Sequence, residues 1–527
     1  MQPFLPRRMR RRLNKAIWFL VHKLPWKPIL IWGPWILVLL VLTFYGIENW
    51  RGQRALNKAL ALAKKQELSL RWEDYNPIKI PDEYNLAKSS IFDGYRDNND
   101  LKSIISLAKK GIAPAEVSTN RSDFRKPKAR ALLTSKVDIR LWLAPSVRPK
   151  TEREAAEKLD ALFPKRKDFL DQLHAETEFK TIVLQASPKQ FSSPLDTTFS
   201  DLMRGYSISQ ICEEDARLAR AQGDVDRALS RIEINNAFLN QKAPNLLVPR
   251  LIAGSIAEYN IEIAALILRS GEANSSQINR LHRLLEFSLV EDIDRVLLGE
   301  LSYSLATSEE ALKDRQLLNT SIPLSTTFAA TTSGTTPSKW EEALQKSFDF
   351  SLRRIPSGWL RRSMAQDIER AVEQVEGLNM VHTEDRILFS QRIERAPTKA
   401  TLAHQLLGQA SEDTWKKALV KLHMSDGRRQ LMQVAARLEL HRLEHGKYPL
   451  ALDELGSTPL DFFSGKALRY ELKADGTPHL WSLGPDQTDD HGLPIQLNIN
   501  DAKGDLVWML TPIPGLTEAD WRRATDN

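Results

Sequence analysis

Apolar positions are spread very unevenly along this chain. From Ile29 to Ile47 the sequence reads ILIWGPWILVLLVLTFYGI, without a single charged residue. As a helix rising ~1.5 Å per residue, the run is ~28 Å long and matches a hydrocarbon core of ~30 Å. Trp32 and Trp35 stand near one end, Tyr45 and Trp50 near the other, and aromatic rings favour the water–lipid boundary at both faces. The pattern predicts a transmembrane helix with Gly33 and Pro34 in its first turn, where the missing proline N–H costs little. A buried core helix and a cleaved signal peptide are the competing readings. Against the second, the apolar run is long and no A-x-A-like site follows it.

Beyond this run the spacing becomes that of amphipathic helices. Ala55, Leu56, Ala59, Leu60 and Ala63 recur at three-and-four spacing, which predicts a helix over 48–70 continuing the apolar one outward. Residues 13–24, before it, are apolar with basic flanks and are expected along the inner membrane surface. Residues 72–95 are aromatic and broken by prolines, so they read as extended packing chain. Helices are expected over 100–113 and 151–175, with irregular chain or short strands over 114–135 and 180–198. From 200 to 318 a helical array is expected: 211–221, 225–239, 249–270, 275–289 and 291–306. Residues 319–338, rich in Ser and Thr, read as an exposed loop. Helices resume at 339–353, 358–376, 411–422 and 426–445.

In the last hundred residues the period changes again. Leu431, Val434, Ala435 and Leu438 form one helix face. Gly446 suits a left-handed cap and Pro449 prevents continuation. Leu468, Tyr470 and Leu472 then alternate, Asp475-Gly476 makes a turn, and Leu480-Trp481 resumes, which predicts a small antiparallel sheet packed on the helix.

Charge refines the picture. The chain of 527 residues carries 74 Lys and Arg against 67 Asp and Glu, which at first suggests a nucleic-acid binder. However, residues 1–28 hold eight of those cations and no acid: Arg7, Arg8, Arg10, Arg11, Arg12, Lys15, Lys23 and Lys27. Without them, 66 basic residues face 67 acidic ones, so the body has no excess with which to follow a phosphate backbone. The one-sided arm places 1–28 in the cytoplasm and everything after about 48 outside. The single cysteine, Cys212, excludes an intrachain disulfide and a cysteine-based zinc site; its apolar helical neighbours predict a buried, inert thiol.

Few motifs carry chemistry. His441-Arg442-Leu443-Glu444-His445 fits H-x-x-E-H, an inverted zinc-peptidase pattern. Yet His445 abuts Gly446 at a helix end, where a cation complements the dipole, and no third ligand is evident, so no zinc is expected. Asp486, Asp489 and Asp490 crowd one loop between Gly484 and Gly492. Such oxygen donors suit calcium; a solvated acidic turn is the alternative. No G-x-S-x-G, phosphate loop or dinucleotide fingerprint is present. Asn274 and Asn319 fit the N-glycosylation pattern, which is short enough to arise by chance.

Three resemblances follow from these residues. The phrase ARLARAQGDVDRALSRIE, with Ala216, Ala219 and Ala228 as small packing positions and Gly223 at the turn, resembles one tetratricopeptide unit and implies a degenerate helical solenoid. Residues 428–492, with RRQLMQVAARLELHRLEHGKYPLALDEL, then PLDFFSGKALRYEL, an ADG turn and HLWSLGPDQTDDHG, resemble the distal part of a type II secretion major pseudopilin. That resemblance implies calcium in the loop of Asp486, Asp489 and Asp490. In a pseudopilin the helix joins the membrane segment directly, whereas about 380 residues intervene here, and no Gly–Glu prepilin leader brackets the apolar run. The whole layout resembles uncharacterised membrane proteins of Verrucomicrobia- and Planctomycetes-type bacteria.

The expected architecture is mainly α: a cytoplasmic arm (1–28), a transmembrane helix (29–47), a connecting region (48–199), the solenoid-like array (200–318), the Ser/Thr loop (319–338), a helical region (339–425) and a pseudopilin-like α+β domain (426–527). The expected role is a non-enzymatic scaffold on the outer face of a bacterial inner membrane, partnered by the membrane and by unidentified protein, with no nucleic acid and no cofactor besides calcium. An envelope hydrolase whose site the sequence does not advertise is the competing reading.

Overall fold

The computed structural model describes residues 26–93, 95, 98–118, 138–184, 196–290, 292–314, 354–381, 412–461, 463–493, 496–498 and 501–509. Most of the basic arm, the Ser/Thr-rich 319–338 and the expected helix 339–353 lie outside the described residues. Eleven α-helices and five short strands make up the described chain, which is mainly helical.

Helix α1, Trp26–Lys65, joins the apolar run and the expected 48–70 helix into one rod. Its start at Trp26 puts Pro34 inside the helix, not in the first turn. A proline there loses one backbone hydrogen bond. The rod ends where Glu67 turns left-handed, at φ 56°. Residues 72–95 are not extended: they form successive 3-10 turns over Trp72–Tyr75, Asp82–Tyr84, Leu86–Lys88 and Ser90–Phe92. Local capping explains the difference. The Asn85 side chain accepts from Ala87 N and the Ser89 hydroxyl from Ile91 N, a bonding mode that competes with extended backbone.

Short helix α2, Ile104–Lys110, ends on left-handed Gly111. Helices α3, Glu152–Leu162, and α4, Pro164–Thr177, follow. The array comprises α5, Asp196–Gln222; α6, Val225–Leu239; α7, Leu247–Ser270; α8, Ser275–Leu284; and α9, Ile293–Lys313. Helices α5, α6 and α7 pack mutually, and α8 packs on α6. Ala216, Ala219 and Ala228 are all buried where α5 meets α6, because short side chains permit close approach. Helix α9 packs mainly on α10, Ser357–Val381, which in turn lies along α1.

Helix α11, Glu412–His445, is continuous where two helices are expected. Gly427 does not break it; a Cβ there would meet Leu506 Cδ1 at 3.0 Å and a Phe463 ring carbon at 3.1 Å, so glycine serves close packing of the sheet. Strands β1 (Arg469–Leu472), β2 (Pro478–Ser482) and β5 (Leu506–Met509) form an antiparallel sheet in the order β1-β2-β5. Strands β3 (Gln496–Asn498) and β4 (Asp501–Lys503) pair separately. Helix α11 contacts α7 and α8 on one side and β2 and β5 on the other. Consequently Met432 and Ala436 are buried as fully as Leu431, Val434, Ala435 and Leu438, and one apolar core runs from α5 to Trp508.

Candidate functional site

Three places concentrate polar chemistry or unusual exposure. The first is the joint between α1 and α10. From Trp32 to Ile47, α1 is largely bare: Leu37, Leu39, Leu40 and Leu42 are each more than 60% exposed. One residue later the environment reverses. Glu48 is buried and accepts from Trp359 Nε1 (3.0 Å), Arg362 (2.8 Å) and Arg51 (3.2 Å). Gly358 N donates to Asn49 Oδ1 at 2.8 Å. A methyl added at Gly52 would overlap the Gly358 carbonyl, and one added at Gly358 would overlap the Glu48 carbonyl, so the two backbones touch. Further along, Ala59 and Ala63 are buried with Met364, Ala365, Ile368 and Val372. The Tyr45 hydroxyl donates to the Arg354 carbonyl. Since the pairs Tyr45–Arg354 and Gly52–Gly358 advance together, α10 runs parallel to α1. Among the described residues, two helices are long and apolar enough to cross a membrane, α1 and α7. Helix α7 is a core helix, 61% buried over its apolar window, whereas that of α1 is 6% buried.

The second place is a buried charge network on α5, which the sequence reading missed. Glu213, Glu214, Asp215 and Arg217 are all almost fully buried. Glu214 caps α2: it accepts from Ser103 Oγ (2.6 Å), Ile104 N (2.8 Å) and Ile105 N (3.3 Å), and pairs with Arg166 at 3.3 Å. Burial raises its carboxyl above the usual range, outweighing Arg166 and these donors. Burial also opposes ionisation of Asp215, but Arg231 and Arg227 prevail and hold it low; they donate at 2.7 and 2.5 Å. Arg217 bridges Glu213 (2.5 Å) and Glu262 (3.2 Å). Each of these carboxylates is paired with an arginine, an arrangement that ties α2, α4, α5, α6 and α7 together. The available signal was three acids in a row inside an apolar helix, followed by arginines at 217, 227 and 231. Cys212 lies beside them, fully buried, and burial pushes its thiol well up.

The third place is the acidic loop. Asp489 accepts from Trp481 Nε1 (3.1 Å) and His491 N (3.0 Å) on one oxygen and from Arg469 (3.2 Å) on the other. Asp486 accepts from Thr488 N and Gly504 N, both at 3.2 Å. Asp490 accompanies them, and with Asp489 it adds to the burial that pushes Asp505 up to about 6, against backbone hydrogen bonds from Gly492 and Asp490. Among the described residues, no three His, Cys, Asp or Glu side chains converge as a metal site, so the structure does not bring Asp486, Asp489 and Asp490 together as ligands. His441 donates to the Lys447 carbonyl at 3.0 Å and stacks on His445, ring centroids 4.2 Å apart; Glu454 lies 3.9 Å from its other nitrogen.

No protein-family model matches the chain, and comparison with curated proteins and with solved structures gives no match.

Proposed function

We propose that this protein is a membrane-anchored scaffold whose helical body stands on the outer face of a bacterial inner membrane, with the basic arm inside. The observation that carries the reading is the abrupt change along α1, bare and apolar before Glu48 and built into the fold after it. A removable signal sequence has no reason to share a helix with core positions such as Ala59 and Ala63. A soluble core helix would not leave Leu37 to Leu42 in water, where a fully exposed leucine forfeits ~1.5–3 kcal/mol. Eight cations precede the span, whereas Arg51, Arg54 and Lys58 follow it closely, so the asymmetry still favours an inside arm. The ion pairs of α5 hold the array together, and the array of α5 to α8 is the surface we assign to a protein partner in the manner of a short solenoid. The tail is read as a pseudopilin-like fold without pilus assembly.

Reporter fusions test this. A phosphatase joined after Asn527 is expected to be active, and mass spectrometry of membrane-extracted protein is expected to find residues 29–47 retained. Activity solely from a cytoplasmic reporter at that end would overturn the topology; a mature chain starting beyond Ile47 would overturn the anchor.

A further inference from the structure

The joint brings together charges that the sequence keeps some 300 residues apart. Phe44, in the last turn of the apolar run, meets the Trp359 ring edge-to-face at 6.4 Å, and Tyr45 bonds the Arg354 backbone. The start of α10 and the turn before it therefore lie level with the end of the span. Arg51 and Arg54 stand four and seven residues beyond Ile47, ~6 and ~10 Å along the helix. The headgroup layer extends ~5–8 Å beyond the hydrocarbon. Side chains on a helix lean toward its N-terminus, which for both parallel helices is the membrane side.

Charge on this collar is one-sided. Residues 48–54 and 354–362 hold Arg51, Arg54, Arg354, Arg361 and Arg362 against Glu48 alone. Glu48 is occupied by Arg51 and Arg362. Arg54 lies over the exposed Trp50 ring, 5.5 Å from its centroid, and Arg354 is exposed. Trp50 is 62% exposed, an amphipathic ring placed where the interface would accept it.

Resting on the anchor reading, we infer that residues 354–362 together with Arg51 and Arg54 form a second membrane contact, a collar that recognises anionic phospholipid headgroups beside the span. Guanidinium groups match phosphate geometry. Near an anionic surface each cation is worth about fivefold in affinity.

The experiment uses the full chain in lipid nanodiscs. Single cysteines are introduced as Leu39→Cys, Ile355→Cys and Lys473→Cys and spin-labelled; the native Cys212 is buried. Relative collision with oxygen and with a water-soluble nickel chelate reports depth. Expected are hydrocarbon depth at 39, headgroup depth at 355 and water at 473. Water at 355 with hydrocarbon at 39 overturns the collar and leaves the anchor standing; water at 39 overturns both. In parallel, spin-labelled phosphatidylglycerol and phosphatidylcholine measure headgroup preference. Wild type is expected to favour phosphatidylglycerol severalfold and the Arg54→Gln/Arg361→Gln variant to lose most of that preference. Equal preference in the two proteins overturns the inference.

Discussion

Replacing Gly358 with alanine adds one methyl group where α10 crosses α1, and its effect follows from what that methyl meets. The obstacles are the Glu48 carbonyl and Asn49 N, which are backbone atoms of a helix, so no rotamer change relieves the overlap. The helices must separate. Overpacking of this kind costs ~1–3 kcal/mol. Separation also stretches the bonds from Trp359 and Arg362 to Glu48 and from Gly358 to Asn49, at ~0.5–1.5 kcal/mol for a neutral bond and more for a charged one. Against this, alanine gains less than the ~1 kcal/mol it has over glycine in a helix interior, since Gly358 is the second residue of α10. The net expectation is a loss of roughly 2–4 kcal/mol. Gly46→Ala is the control, since nothing lies within 4 Å of a Cβ there; it receives only the gain in propensity. Thermal unfolding of both variants at one scan rate, in the same nanodiscs, reads the difference. Should Gly358→Ala melt with Gly46→Ala, at or above wild type, the close crossing is wrong and so is the rigid joint built on it.

Other expectations concern the network, pH and metal. Glu214→Ala strands the buried Arg166 and removes acceptors from two backbone N–H groups of α2, so chemical denaturation is expected to show a loss of about 3–5 kcal/mol. At Asp367, 3.9 Å from Arg370, burial pushes the carboxyl up to about 6 despite that arginine. An acid whose folded value lies above its unfolded one binds the extra proton in the folded state, so stability falls as pH rises from about 4 to 6. Asp367→Asn should remove that slope and be the more stable protein at pH 7, by on the order of 1 kcal/mol once solvent screening is allowed for. Calcium at millimolar concentration is expected to leave the melting temperature unchanged, because it must displace Arg469 from Asp489; a shift abolished by a triple Asp→Asn change at 486, 489 and 490 would show the loop to be a real site.

Local signals in the sequence carried far. The uncharged run, the glycine stop at Gly446 (φ 76°) and the hairpin at Gly476 (φ 79°) each depend on a few adjacent residues, so period and turn chemistry suffice to read them. Long-range coincidences stayed hidden. Gly52 and Gly358 explain each other only when their helices are side by side. The need for glycine at 427 is explained only when Leu506 and Phe463 are seen against it. Asn274 shows how one motif has two meanings: besides fitting a glycosylation pattern, its side chain accepts from Gln277 N while Gln277 accepts from Asn274 N, a capping box that starts α8. The acids of α5 were missed because burial of charge is decided by partners on other helices, here Arg166, Arg227 and Arg231.

Those packing relations bear on how the body would be held by the proposed anchor. Were α1 merely a tether, the body would be free to turn about a flexible linker, and its orientation would carry no information. Instead α1 lies along α10, α10 packs on α9, α9 touches α7, and α7 supports α11 and through it the terminal sheet. No step in this series depends on a flexible linker. It rests instead on backbone contact at Gly52 and Gly358, on aliphatic burial around Ile368, and on the close approach of Gly254 to Leu422, 2.9 Å from a Cβ placed there. Interiors packed this way transmit displacement rather than absorb it. If α1 spans a bilayer as proposed, a tilt of the span would turn the whole body, and the proposed arginine collar would resist that tilt through headgroup contacts. On the proposed anchor reading, the orientation of the body relative to the bilayer is set at this joint.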